Sequence, residues 1–215
     1  MVDSFITVKF KLEKFIKKYY VNELIRGLIL FAAIGLLYFL FTLLIEYILW
    51  LRPVARTLLF WVFVIVEASL FIKLIVSPAF KLLKLKRGLN YLDASRIVGE
   101  FFPEVNDKLI NVIQLHNSKE RSELLLASIQ QKSLELKPVP FSIAVDFSHN
   151  IKYLKYLAIP VLIVILSFIS GQMNWFSDSY NRVINYQTAY APPAPFSFLI
   201  TNQDLNAIQN KPFKL

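Results

Sequence analysis

The stretch LLFWVFVIVEASLFIKLIV, residues 58–76, is an almost uninterrupted apolar run that carries a single carboxylate near its middle, Glu67. A helix needs about 20 consecutive apolar residues to cross the hydrocarbon core of a bilayer, so this run is long enough. A charge at that depth costs about 2.5–3.5 kcal/mol on insertion scales, so Glu67 should be neutral, paired or turned into a protein interior. The stretch predicts a membrane-spanning helix with one buried acid.

Two further runs have the length and composition of membrane spans. Residues 27–45 carry no charge, and the apolar run continues past Glu46; residues 156–177 are also uncharged. Between the first two runs, LRPVAR at residues 51–56 combines a proline with two arginines and predicts a tight hairpin. The predicted segments are a transmembrane hairpin over 27–78, with helices at 27–51 and 57–78, and a third transmembrane helix over 152–177.

The overall composition agrees with a membrane protein. Of the 215 residues, 56% are hydrophobic, whereas soluble globular domains are nearer about 45–50%. The net charge of +9 would also suit a nucleic-acid-binding protein, but the basic residues flank the apolar runs, where membrane topology explains them better. The chain has no cysteine, and its two histidines, His116 and His149, match no metal-binding spacing. We therefore expect no disulfide, metal, cofactor or nucleic-acid partner.

The first 26 residues combine apolar and basic side chains. At helical spacing, Phe5, Leu12 and Phe15 share one face, and lysines cover much of the remainder. This pattern is typical of an amphipathic helix on an anionic membrane, so residues 1–26 are predicted to lie in the interface. A second basic group follows the hairpin. The residues predicted to meet anionic headgroups of the cytoplasmic leaflet are Lys9, Lys11, Lys14, Lys17, Lys18, Lys81, Lys84, Lys86 and Arg87.

The remaining segments predict one helical and one β region. Residues 79–151 are polar, and their helical patterns, separated by prolines, predict a small helical module. In the tail, residues 178–215, FSFLIT at 196–201 predicts a strand, and a lone strand needs a partner sheet or further chain. The predicted fold class is an all-α membrane protein with three transmembrane helices, an N-terminal amphipathic helix and a small helical module, followed by the start of a β region.

The distribution of lysine and arginine predicts the orientation. Most basic residues near the apolar runs lie in the N-terminal segment, in residues 73–87 and just before the third span. Arg52, Arg56 and Arg182 lie on the other side. By the positive-inside rule, the N-terminus and the helical module are cytoplasmic and the tail is outside. In a bacterium with two membranes, this pattern predicts the inner membrane with a periplasmic C-terminus.

The polar residues inside the spans leave two hypotheses open for Glu67. In an antiparallel hairpin, the matching depth on the first helix falls near Tyr38 and Thr42, and either hydroxyl could bond to the carboxyl group. Nearer the outer surface, Glu46 can meet Arg56 across the hairpin. Under one hypothesis, Glu67 carries protons or ions in a motor or transporter. Under the other, it is a packing and assembly group buried against other helices or another subunit.

One segment resembles a known family. FPEVNDKLINVIQL, residues 102–115, is similar to a pattern in the N-terminal part of large uncharacterised bacterial inner-membrane proteins, sometimes labelled as ATPases. The resemblance covers nearly the whole chain, up to YAPPAPFSFLITNQDLNAIQNKPFKL at residues 190–215. It implies three transmembrane helices followed by periplasmic immunoglobulin-like domains, and it brings no active site with it. The matching positions are Pro103, Asp107, Leu109, Asn111, Gln114 and Leu115.

The sequence contains no motif that would assemble a catalytic site, since glycine-rich phosphate loops and nucleophile motifs are both missing. We therefore predict a non-enzymatic inner-membrane anchor or scaffold subunit of a bacterial cell-envelope complex. Its predicted partners are anionic lipids and other envelope proteins, and a homo-oligomer stays open. The alternatives are a subunit of a proton-driven motor or transporter that uses Glu67, or an enzyme or regulator whose chemistry lies beyond residue 215.

Overall fold

The computed structural model describes residues 3–118 and 122–192, and all regular structure in these two ranges is helical. The predicted strand at 196–201 lies outside the described residues. A π-helical segment, Ile72–Val76, joins the second and third helices. The α-helices are α1 (Asp3–Leu49), α2 (Pro53–Phe71), α3 (Ser77–Leu82), α4 (Tyr91–Phe101), α5 (Asn106–Asn117), α6 (Glu123–Leu136), α7 (Ile151–Ile169) and α8 (Asn174–Ile184).

Three helical segments are long and apolar enough to cross a membrane, as the sequence predicts. They are α1, the continuous helix from Pro53 to Leu82, and the segment Phe141–Ile169 that contains α7. Few residues in their most apolar stretches are buried (28%, 0% and 6% of each), which is the arrangement expected when lipid tails are the surrounding solvent. The described chain is therefore built around a membrane-spanning helical unit.

The first helix continues past the boundary that the sequence predicted. Instead of a separate helix over residues 1–26, α1 runs without interruption from Asp3 to Leu49. At 1.5 Å per residue, this helix is about 70 Å long, more than twice the thickness of a hydrocarbon core. The predicted boundary is wrong because its residues favour helix: Glu23 and Arg26 form an ion pair of 3.4 Å one turn apart, and no proline intervenes.

The apolar face of the N-terminal half of α1 is covered by protein. Val8, Leu12 and Phe15 are completely buried, at the i, i+4 and i+7 spacing of one helical face. They pack with α4, α5 and α6, and we call this unit the helical module. The prediction of an interfacial helix is therefore corrected, because the same face buries its apolar surface against other helices. The other buried members of this core are Ala94, Val98, Val105, Leu109, Val112, Ile113, Ile129, Leu136, Phe141 and Val145.

Two of the lysines predicted to meet lipid are held by the module. The Lys11 amine donates to the carbonyl of Lys137 and, at 2.9 Å, to that of Val139. The Lys18 amine donates to the carbonyl of Ser142 at 2.8 Å. These carbonyls belong to the chain that leaves α6, where helix termini lack internal partners. The structure thus places these two amines against protein carbonyls.

The helix from Pro53 to Leu82 contains a local expansion that has a specific cause. Pro78 has no N–H group, and its ring would clash with the carbonyl four residues back, that of Leu74. The π-helical segment Ile72–Val76 lies just before it and widens the turn. The Leu74 carbonyl then faces Gly27 of α1 so closely that any Cβ at that position would overlap it. A glycine is therefore required where the two spans cross.

The third span is shorter than predicted, and a helix that the sequence did not predict follows it. The predicted span is 152–177, but α7 ends at Ile169. Gly171 follows with a φ of +67°, the left-handed conformation in which glycine commonly ends helices. After this turn α8 packs against α1 and α2, so the first residues of the predicted β tail are helical up to Ile184.

Truncating Phe15 should destabilise the helical module. Phe15→Ala leaves a cavity in a closed core, and such truncations cost about 3–5 kcal/mol. The control is Phe10→Ala on the same helix, because Phe10 is 66% exposed. Denaturant-dependent proteolysis of the purified chain measures both variants. If Phe10→Ala lowers the free energy of unfolding as much as Phe15→Ala does, the described packing would be contradicted.

Candidate functional site

An ionic cluster lies where the ends of α1, α2 and α8 meet. The side chains of Glu46, Arg56 and Arg182 are 0%, 0% and 6% exposed. One Arg56 guanidinium nitrogen lies 2.8 Å from Glu46 Oε1, and Arg182 Nε lies 3.3 Å from the same oxygen. The contact between Glu46 and Arg56 that the sequence predicted is confirmed. We call these three residues the ionic clamp.

The hairpin between the first two spans positions Arg56. Trp50 has a φ of +44° and turns the chain after α1, and Pro53 supplies the first residue of α2. Arg56 Nη2 donates to the carbonyl of Leu51 at 2.7 Å, and Nη1 donates to the carbonyl of Thr188 at 2.7 Å. One side chain thus ties the hairpin to the segment that follows α8.

The second arginine of the clamp comes from α8. Its guanidinium carbon lies 4.0 Å from the centre of the Trp50 ring, a distance typical of a cation–π contact. From the sequence, Arg182 was assigned only to the outer side of the membrane, because the helix that carries it, α8, was not predicted. Ser179, Arg182 and Val183 are all buried, and their i, i+3 and i+4 spacing was the available signal.

The electrostatics of the clamp suit a permanent structural link. Two guanidinium groups share one carboxylate oxygen of Glu46, and its other oxygen, Oε2, has no hydrogen-bond partner among the described residues. A buried charge that loses its partner costs about 3–5 kcal/mol. The clamp therefore holds three helices together at one end of the spans.

The second polar position, Glu67, lies inside the hairpin and faces Gly35. A Cβ on Gly35 would lie 2.9 Å from Glu67 Oε2, and Glu67 Oε1 is buried without a hydrogen-bond partner in the described ranges. In the part of the chain that the structure describes, Glu67 does not form the predicted hydrogen bonds with the hydroxyl groups of Tyr38 and Thr42. The Tyr38 ring instead stacks on Phe63 with centroids 5.7 Å apart, and Thr42 Oγ1 donates to the Tyr38 carbonyl at 3.0 Å.

The register of the hairpin explains this difference. Gly27 faces Leu74 at one end, and Glu46 meets Arg56 at the other. Between these fixed points, an antiparallel pair of helices brings position 67 opposite Gly35. Tyr38 and Thr42 lie one to two turns further along α1 and face other residues. The carboxyl group therefore packs against a helix backbone instead of a hydroxyl group.

Of the nine basic residues predicted to meet headgroups, three contact the helical module, five line a cavity, and Arg87 does neither. Lys9 belongs with the module, where its amine lies 5.6 Å from the centre of the Tyr91 ring. Arg87 is exposed on the chain between α3 and α4. A cavity of about 760 Å³ lies between α1, α3 and this connecting chain. The lysines that line the cavity are Lys14, Lys17, Lys81, Lys84 and Lys86.

These features define a class of protein. The chain is a helical membrane protein by its three candidate spans. One span is continuous with the helical module, and side-chain and backbone contacts join all three. Within the described ranges no group of three or more His, Cys, Asp or Glu side chains is placed to hold a metal ion. No protein-family model, curated protein or solved structure matches the chain.

Removing the carboxylate of the clamp should be more damaging than removing either arginine. Glu46→Gln leaves two buried guanidinium groups without a counter-charge, so we expect a loss of about 3–5 kcal/mol. Arg182→Gln should cost less, because the pair of Glu46 and Arg56 remains. Thermal unfolding in detergent measures both variants.

The matched control for the clamp is Arg52→Gln, in the same hairpin. Arg52 is exposed and forms no described ion pair, so its loss should leave the unfolding temperature nearly unchanged. Equal destabilisation by Arg52→Gln and Glu46→Gln would contradict the assignment of the clamp.

Proposed function

We propose that the chain is a non-enzymatic inner-membrane anchor or scaffold subunit of a bacterial cell-envelope complex. The observation that carries this proposal is α1, which is at once a membrane span and part of the core of the helical module. A module attached in this way moves with the span, whereas a module on a flexible linker would not. Such a connection suits a protein that holds partners at a fixed distance from a membrane.

The contacts of α1 support the anchor role on both sides of the bilayer. At one end, its buried face joins α4, α5 and α6 through Val8, Leu12 and Phe15. At the other end, Glu46 joins it to α2 and α8 through the ionic clamp. The proposed orientation places the module in the cytoplasm and α8 in the periplasm, because the basic residues concentrate at the module end.

The proposed partners lie around the exposed surfaces of the spans and the module. The apolar side chains of α7 are largely exposed; Leu166, Phe168 and Ile169 are examples. This surface can contact lipid tails or the helices of a partner subunit. Envelope proteins are the expected partners at the periplasmic end, where the chain continues beyond α8.

A second candidate function is a subunit of a proton-driven motor or transporter. The observation in its favour is Glu67, whose Oε1 is buried without a hydrogen-bond partner in the described part of the chain. Ionisable groups within membrane spans are rare and costly, and they commonly mark proton or ion paths. The anchor role is preferred because the carboxyl group packs directly on Gly35, which leaves no described relay beside it.

The proposed orientation can be tested with single cysteines, since the chain has none of its own. Glu104 in the module and Gln187 after α8 are both exposed. In intact bacterial cells, a membrane-impermeant maleimide should label Gln187→Cys and should reach Glu104→Cys only after lysis. The reverse labelling pattern would invert the proposed topology.

The two candidate functions give different results for substitutions of Glu67: both keep the partners with Gln, and only a proton carrier loses the activity of the complex with Gln. Glu67→Gln keeps the shape of the side chain but removes its titration, whereas Glu67→Leu removes both polarity and shape. Purification of the complex in a gentle detergent, with mass spectrometry of the proteins that accompany the chain, measures assembly. An anchor should keep its partners with Gln and lose them with Leu.

A proton carrier should also keep its partners with Gln, but it should lose the activity of the complex. The control is Ser69→Ala on the same helix, whose exposed hydroxyl donates only to the Ile65 carbonyl. A chain that is purified alone, with no stoichiometric envelope protein, would contradict the anchor proposal.

A further inference from the structure

The cavity at the module end of the spans has an unusual chemical lining. Its volume is about 760 Å³, and its walls come from the N-terminal half of α1, from α3 and from the chain that leads to α4. Apolar side chains form part of the wall, among them Phe10, Ile16, Leu82 and Leu89. Five lysine side chains line the same space. A cavity that combines amines with apolar surface fits an amphiphilic anion.

The five lysines of the cavity outnumber the one acid in its lining, Glu13. In the described ranges, none of its five lysines lies in an ion pair. The one acid in the lining, Glu13, accepts a hydrogen bond of 2.7 Å from the Tyr91 hydroxyl. Burial and the neighbouring Glu13 raise the pKa of Tyr91 to about 12, so this hydroxyl stays protonated and keeps donating. The amines are therefore left for an anion from outside the chain.

One of these lysines occupies a backbone position that normally favours glycine. Lys84 has a φ of +58° at the end of α3. The next amide, that of Leu85, donates to the carbonyl of Phe80 at 2.9 Å, which is the hydrogen bond of a Schellman motif. Glycine or asparagine adopts this conformation more easily than lysine does. The charge of Lys84 is thus present despite a cost to the backbone.

The cavity lies on the water side of the level that Gly27 and Leu74 mark, and it begins next to the headgroup layer. Gly27 begins the uncharged run of α1 and faces Leu74. Lys81, seven residues after Leu74, lies about 10 Å further from the bilayer centre, and its amine lies 5.9 Å from the Tyr20 ring. Headgroup layers add about 5–7 Å to each side of the hydrocarbon core, and lysine side chains extend toward them.

We propose that this cavity is a binding site for the headgroup phosphate of an anionic phospholipid in the leaflet on the module side. Lys17 reaches toward the phosphate from α1, and Lys81, Lys84 and Lys86 approach it from the opposite wall. Lys14, about 20 Å along α1 from Gly27, adds positive charge further from the membrane. The apolar part of the lining packs against the glycerol region of the lipid. The inference rests on the membrane-anchor part of the proposed function and adds a defined lipid partner to it.

Native mass spectrometry of the full chain tests the site, with phosphatidylglycerol and phosphatidylcholine titrated separately. One phosphatidylglycerol should bind at least tenfold more tightly than phosphatidylcholine. The double variant Lys84→Asn/Lys86→Gln should weaken phosphatidylglycerol binding by roughly tenfold or more, since each lysine near a membrane surface contributes attraction to anionic lipid. Asparagine preserves the left-handed backbone at position 84.

The matched control is Lys152→Gln/Lys155→Gln, which removes the same charge at the start of α7. Both lysines are exposed, and each amine lies 5.2 Å from the ring of the tyrosine that follows it. This pair should change phosphatidylglycerol binding less than twofold. An equal loss in both double variants would show that surface charge alone attracts the lipid, and it would overturn the site.

Two further measurements distinguish a lipid headgroup from free phosphate and check that the variants fold. Inorganic phosphate that binds the cavity as tightly as phosphatidylglycerol would overturn the lipid assignment in favour of a soluble anion. A second variant, Lys84→Gly/Lys86→Gln, should lose binding like the asparagine variant while it keeps the wild-type unfolding temperature. A chain that is not recovered with membranes would contradict the anchor proposal itself, whereas an inserted chain without lipid preference would contradict only this site.

Discussion

The close approach of Gly27 to the Leu74 carbonyl is the constraint on which the arrangement of the spans depends. Pro78 prevents an ordinary α-helical turn, the π-helical segment accommodates its ring, and the carbonyl is presented to α1. Once this point is fixed, the antiparallel register follows. Glu67 then faces Gly35, and Glu46 reaches Arg56 at the far end. The positions of Glu46 and Glu67 in the hairpin are therefore consistent with this one register.

The candidate spans and the contact between Glu46 and Arg56 were predictable, because they depend on the length of the apolar runs and on charges close together in the sequence. Three apolar runs are each long enough to cross a bilayer, and a helix satisfies all of its backbone hydrogen bonds within one segment, so candidate membrane-spanning helices were predictable from length alone. The contact between Glu46 and Arg56 was also predictable, since a short hairpin leaves them near one another. In contrast, the partners of Glu67 were misplaced, because register depends on a proline and a glycine more than twenty residues from the turn.

Two other differences arise from ambiguity in amphipathic patterns. The face formed by Val8, Leu12 and Phe15 has the same periodicity whether it is covered by lipid or by other helices, and only the tertiary structure selects the second. The contact of Arg182 with Glu46 was not predicted, because an uncharged run extends past Gly171 and hid both the end of the third span and the start of α8. Only Gly171 marked that turn in the sequence, and a single glycine within a long uncharged run does not by itself predict a helix end.

The continuity of α1 makes the position of the module depend on the thickness of the bilayer. A span that is longer than the local hydrocarbon core tilts, and the tilt changes as the bilayer becomes thinner or thicker. The part of α1 before Gly27 extends about 36 Å beyond the span, so a 10° change in tilt would displace its far end by about 6 Å. Membrane composition would in this way be converted into a lateral movement of the helical module.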